Sequence, residues 1–238
     1  LHDALPILSN GQLNVIAAPG AGGEVSAGIS IGTCSEVLCS GQTGLYSEGS
    51  IVALTDARFE LGDQVRYGTR HLNLGVSAIN LGSAEALAAA AAANQVPAGL
   101  TLTQALLDRL LRGDTQFGAP ALETLQLSAR DSFNFYGSTS LDTYDPLTGK
   151  SLLSNLMIAT PAIYGAGGTN DVASIHTANL IWQGATDPAG AVVSGGAGTG
   201  SGRLDINAER IEFGYGAFAQ PSTTLTFDRL ALGFANVN

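Results

Sequence analysis

Lysine is nearly missing from this chain: Lys150 is the only one in 238 residues, and nine arginines bring the basic total to ten against twenty carboxylates. The resulting net charge of −10 argues against nucleic acid and anionic membrane as partners, because both need clustered Lys and Arg. Long apolar runs are also lacking. The longest, Ala86 to Ala93, is far short of a bilayer span, so direct membrane insertion is not expected. There are only two cysteines, Cys34 and Cys39, and no histidine lies near them, whereas a structural zinc needs about four ligands. No metal or other cofactor is expected. The two thiols are read either as a small loop disulfide in an exported protein or as free thiols.

Catalytic and nucleotide signatures are equally scarce. The Gly-rich stretch 194–202 has neither the lysine of a phosphate-binding G-x-x-x-x-G-K-[ST] loop nor the spacing of a dinucleotide fingerprint, and reads as a flexible loop. It also lacks the Asp of calcium-binding nonapeptides, and no G-x-S-x-G nucleophile elbow occurs. No initiating Met or signal-peptide pattern opens the chain, which is read as an interior fragment. Residues 1–7, LHDALPI, match the translation of a common short-read sequencing adapter; they are read as an assembly scar and set aside.

What the chain does have is glycine, 31 residues of it, and recurrence. A unit of apolar, any, apolar, Gly ends at Gly32, Gly62, Gly75, Gly82, Gly214 and Gly233. A longer frame repeats too: Ile175, Ile206 and Leu225 each start a strand, and Leu180, Ile211 and Leu230 start the next five residues later. Taking Phe133, Leu156, Leu180, Ile211 and Leu230 as equivalent gives intervals of 23, 24, 31 and 19 residues; Ile29, Phe59 and Ile79 give 30 and 20. Short strands at such intervals, without hairpin signals, predict an all-β parallel β-helix, in which each strand pairs with its equivalent one coil away. Leu204, Ile206, Ile211 and Phe213 then point inward onto Ile175, Leu180 and Trp182. Asp205, Asn207, Glu212 and His176 point outward, and residues 208–210 turn a corner. Trp182 and Phe213 are read as a core stack.

One stretch departs from this pattern. Ser83 can cap an alanine-rich helix, and Thr103 a second whose Leu106, Leu107, Leu110 and Leu111 form one stripe before a C-capping Gly113. A short two-helix insertion at about 83–112 is therefore expected, covering apolar surface or a strand edge. The expected organisation is one continuous domain: an artefactual 1–7, coils over 8–82, the helical insertion within 83–120, and coils over 121–238.

The phrases "LTLTQALLDRLLRGD", "LQLSARDSFNFYGSTSLDTYD", "ANLIWQG" and "GTGSGRLDINAERIEFGYG" resemble the C-terminal part of filamentous haemagglutinin-type exoproteins of Gram-negative bacteria, over roughly residues 50 to 238. The resemblance implies that the β-helix is right-handed and is a shaft segment of a long adhesin, exported by two-partner secretion through an outer-membrane transporter barrel. Its expected location is outside the cell or on its surface, mediating contact with a receptor or glycan on a host or neighbouring cell. It implies no catalytic residue, and the chain is read as non-enzymatic. Two other readings stay open: a β-helical carbohydrate-active enzyme (a polysaccharide lyase or hydrolase), and the passive stalk of a contact-dependent toxin.

Candidate site residues are few. Arg112-Gly113-Asp114 is an integrin-type tripeptide, a cation and an anion held apart by Gly, and is also what helix capping would place there. Carboxylates gather at Asp205, Glu209 and Glu212, and at Asp56, Glu60 and Asp63. Either set suits an acidic groove or a solvated face; a lyase would oppose such a cluster with Arg or Lys across a groove. His71 and His176 are read as lone surface histidines.

Overall fold

A computed structural model of the chain describes residues 6–17, 28–32, 43–63, 65–184, 200–214 and 231–238. The first part holds strands β1 (Ile7–Ser9), β2 (Gln12–Val15), β3 (Ile29–Ile31), β4 (Thr43–Leu54), β5 (Phe59–Leu61) and β6 (Val65–Gly82). Helix α1 (Ala84–Ala92), strand β7 (Leu100–Thr103), helix α2 (Gln104–Arg112) and a 3-10 turn (Gln116–Gly118) follow. Then come β8 (Thr124–Tyr136), β9 (Thr139–Asp142), β10 (Tyr144–Asp145), β11 (Lys150–Ser151), β12 (Asn155–Ala159) and β13 (Ala162–Gly165). The last are β14 (Val172–Gln183), β15 (Arg203–Phe213), β16 (Ala231–Gly233) and β17 (Asn236–Val237). Fifteen strands form one sheet, and every pairing within it is parallel; β10 and β11 make a separate antiparallel pair.

Leucines and isoleucines repeat along this sheet in register. One ladder runs Leu13, Ile51, Leu72, Leu125, Leu156, Leu180, Ile211. A second runs Ile29, Phe59, Leu100, Ile79, Phe133, Ile163, Leu232. A third joins Leu141, Ile175 and Ile206. The expected equivalence of Leu156, Leu180 and Ile211 holds. That of Phe133 with Leu156 does not: Leu125 occupies that rung, and Phe133 belongs to the second ladder eight residues on. Both positions open an apolar, any, apolar unit on the same long strand, so spacing alone did not separate them. Leu225 and Leu230 lie outside the described residues.

The strands are also longer than the short units expected. β6 and β8 run without interruption for 18 and 13 residues, and each contributes to two ladders. They bend at bulges: β4 spends one more residue than β6 between Ser47 and Ser50, and β8 one more than β6 between Ala129 and Ser132. β15 likewise passes unbroken through 208–210. Polar side chains buried near the bends are hydrogen-bonded. The Ser47 hydroxyl donates to the Gly11 carbonyl at 2.6 Å and that of Thr69 to the Gly49 carbonyl at 3.2 Å.

Both helices form where their caps predict. Ser83 Oγ accepts from the Ala86 amide at 3.1 Å and Thr103 Oγ1 from the Leu106 amide at 3.3 Å. Gly113 ends α2 at φ 58°, a left-handed value that glycine adopts at little cost. All four leucines of the α2 stripe are buried and join the main core. The insertion is not purely helical, however. Between the helices the chain returns as β7 and inserts between β5 and β6, so Leu100 pairs with both Phe59 and Ile79. The strand is only four residues long, and its Leu-Thr-Leu-Thr alternation merges by sequence into the cap of α2.

At the N-terminus, Ile7 pairs with Leu45 as the first residue of β1, so the stretch read as an adapter scar reaches into the sheet. At the other end, β17 covers only Arg203 and Leu204 among the described strands. Leu204 is fully buried, while Ile211 and Phe213, expected inside, are 41% and 58% exposed.

Candidate functional site

The parallel register brings four polar or aromatic side chains together on the outer surface of β9, β14 and β15. His176 lies beside Asp142 on one neighbouring strand and Asn207 on the other. His176 Nδ1 is 3.0 Å from Asp142 Oδ1, which also accepts the Tyr144 amide at 2.9 Å. The Tyr144 ring stacks on the imidazole, and its hydroxyl donates to Glu209 Oε1 at 2.9 Å. Accepting that hydrogen bond, the Glu209 carboxylate pushes the Tyr144 phenol above its ordinary value. His176 is thus not the lone histidine its sequence context suggested. Asp142 lies 34 residues away and Glu209 lies 33, and only the strand register shows that they meet.

Asp205, Glu209 and Glu212 each hold a different partner. Asp205 pairs with Arg203 at 2.9 Å and Glu212 with Arg210 at 2.8 Å, each two residues along the same strand face. A hydrogen bond from Asn238 Nδ2, and then the Arg203 guanidinium, hold the Asp205 carboxyl below the usual carboxylate range. Asp56, Glu60 and Asp63 do line one cleft, of about 840 Å³. There Asp56 pairs with Arg130 at 3.0 Å and Glu60 with neighbouring Arg58. Arg58 is the one cation among the described lining residues, which also include Pro97, Ala98, Gly99 and Thr101.

Arg112, Gly113 and Asp114 sit where α2 ends. The Asp114 amide donates to the Tyr67 carbonyl at 2.8 Å. Its Oδ2 accepts from the Tyr46 hydroxyl at 3.0 Å and its Oδ1 from the Gln116 amide at 3.0 Å. Both carboxylate oxygens are therefore engaged in tying the helix end to β4 and to the following turn. Burial, with help from Asp114, raises the Tyr46 phenol to about 12.

Trp182 and Phe213 meet edge-on with centroids 5.9 Å apart; Trp182 is buried and donates Nε1–H to the Thr160 carbonyl at 3.0 Å. His71 is exposed, paired with Ser50 and Thr124 in the sheet. Cys34, Cys39 and most of the Gly-rich stretch lie outside the described residues. Among the described residues, no three His, Cys, Asp or Glu side chains are grouped to hold a metal, and no helix is long and apolar enough to cross a membrane. No protein-family model, curated protein or solved structure matches the chain.

Proposed function

We propose that this chain is a segment of a right-handed parallel β-helix shaft. It belongs to a large secreted or surface-displayed bacterial adhesin and acts mechanically rather than as an enzyme. The observation that carries this reading is the pairing of β14. Its first half lies between β9 and β15, and its second half between β12 and β15, all parallel and in register. A strand whose two halves follow different earlier strands suits a chain winding through successive faces of a coil. Right-handed crossovers are the rule for parallel strands.

Seven rungs of the first ladder, at about 4.8 Å per rung, amount to a rod section of roughly 30 Å. Such a section stiffens by summing nearest-neighbour contacts and adds reach to whatever it carries. Excess negative charge keeps rods from associating. The acid groups support a solvated surface: Asp56, Glu60, Asp205 and Glu212 each pair with an exposed arginine. On this reading the partners are an outer-membrane transporter barrel for export and a receptor or glycan on a host or neighbouring cell.

The test is to express the intact gene with its transporter in a Gram-negative host and measure surface exposure and cell attachment. In-frame removal of residues 156–179, one interval of the first ladder, should leave export intact and yield a slightly shorter rod by electron microscopy. Misfolding of that deletion while neighbouring segments tolerate other lengths would overturn the coil assignment. Cleavage of a polysaccharide by the purified chain would favour a carbohydrate-active enzyme, and killing of contacted cells by the intact product would favour a toxin stalk.

A further inference from the structure

Two arginines of this acidic protein converge on one backbone carbonyl. Arg66, on β6, and Arg109, on α2, both donate through Nη1 to the same oxygen, the Asp63 carbonyl, the former at 3.1 Å. Arg66 Nη1 also donates to the Val65 carbonyl at 2.9 Å. Neither guanidinium has a carboxylate within 4.0 Å among the described residues, and Arg112, a third cation at the same place, has none either. In a chain with ten basic residues, three around one opening need a physical reason. Complementing the negative end of α2 accounts for Arg109 and Arg112 in its last turn, but not for Arg66 on β6.

The opening leads into a cavity of about 330 Å³ whose floor is Val65, Tyr67, Leu106 and Leu110. These side chains are buried, and the Tyr67 hydroxyl is spent on the Leu110 carbonyl, so the floor offers apolar surface. Among the described lining residues Asp114 is the one acid, and its oxygens are occupied by Tyr46 and Gln116. Three arginines, against that carboxylate and the side chain of Asp63 beside them, leave the described mouth net cationic.

We propose that this cavity is a binding site for a small carboxylate with an apolar tail: the carboxylate bridges Arg66 and Arg109 and the tail lies on the leucine and tyrosine floor. A planar carboxylate suits guanidinium donors, which bind it through two parallel N–H bonds. The volume lies at the small end of ligand cavities, roughly 300–1,000 Å³, which selects a single short amphiphile over a peptide segment. Arg112-Gly113-Asp114 becomes a wall of a receptor site instead of a ligand displayed to another receptor. The inference does not depend on the shaft reading.

Octanoate, acetate and octanol are titrated into the isotope-labelled 238-residue chain and followed by amide chemical shifts. Octanoate should bind saturably, with shifts centred on residues 65–67 and 106–116. Acetate, which has the charge without the tail, and octanol, the tail without the charge, should each bind at least tenfold more weakly. Arg66→Gln and Arg109→Gln should each weaken octanoate at least tenfold with an unchanged melting temperature, while Arg210→Gln leaves it unaffected. Equal binding of octanol and octanoate, shifts centred elsewhere, or undiminished affinity in both arginine variants would overturn the site. The three-compound comparison needs no variant to fold.

Discussion

The imidazole of His176 lies flat on the Tyr144 ring, with centroids 4.0 Å apart and planes 2° from parallel. Tyr144 opens the β10–β11 hairpin, whose tip holds Leu147 at 93% exposure, and His176 sits mid-strand in β14. The stack, the Asp142 contact and the Tyr144–Glu209 hydrogen bond together clasp a projecting hairpin to the sheet.

Tyr144→Ala should loosen that hairpin without touching the core. The Thr143 and Leu152 amides, which donate to the His176 and Thr143 carbonyls at 2.9 and 2.8 Å, should exchange faster, and those of Leu156 and Leu180 should not change. Tyr144→Phe keeps the stack, loses the Glu209 bond and should fall between. Unaltered exchange at Thr143 and Leu152 in the alanine variant would show that the clasp carries no weight.

Position along one ladder should set the cost of truncation. Leu156 is fully buried between Leu125 and Leu180, and Leu156→Ala should destabilise by about 2–5 kcal/mol in denaturant unfolding. Ile211 is on the same ladder but 41% exposed, and Ile211→Ala should cost about 1 kcal/mol or less. Equal costs would mean that the two rungs are equally covered in solution.

Removing either helix cap should cost about 1 kcal/mol. Thr103→Ala should reduce global stability, because α2 delivers four leucines to the core. Ser83→Ala should act mainly on α1, where Leu87 is the one buried residue, and appear as lost helical circular dichroism with a smaller change in melting temperature.

Alkaline pH should unfold the protein through its tyrosines. Burial, with Asp114 adding to it at Tyr46, raises the Tyr46 and Tyr136 phenols from 10.0 to about 12. The folded state therefore holds protons that the unfolded state has released. The contribution is complete below pH 10 and is lost as pH rises through about 12. Melting temperature should fall across that window, with phenolate absorbance appearing together with unfolding; Tyr46→Phe should flatten part of the fall. Phenolate appearing near pH 10 while the fold persists would contradict it.

Much of the repeat was legible because burial writes itself into alternation. Ile175 with Ile206, Leu180 with Ile211 and Ile29 with Phe59 all pair as their spacing predicts. Phe133 was misplaced because a strand that bends through two ladders offers two equally spaced apolar starts, at Leu125 and Phe133. β7 was missed because a strand of four residues beside a helix cap has too little alternation to separate from it. Neither the clasp nor the arginine mouth left any local signal: Asp142, His176 and Glu209 are spread over 68 residues, and Arg66 and Arg109 over 44.

The amino-acid sequence by itself determined that this chain is mostly strand, where its two helices begin and where the second ends, and which side chains are apolar enough to stack. Those properties depend on residues within a few positions of one another, through cap hydrogen bonds and period-two burial. The tertiary structure alone decided which rung each strand occupies, that Leu100 enters between Phe59 and Ile79, and which charges meet outside. Those outcomes depend on bulges and loop lengths, and a one-residue slip in register turns every following side chain to the other face of the sheet.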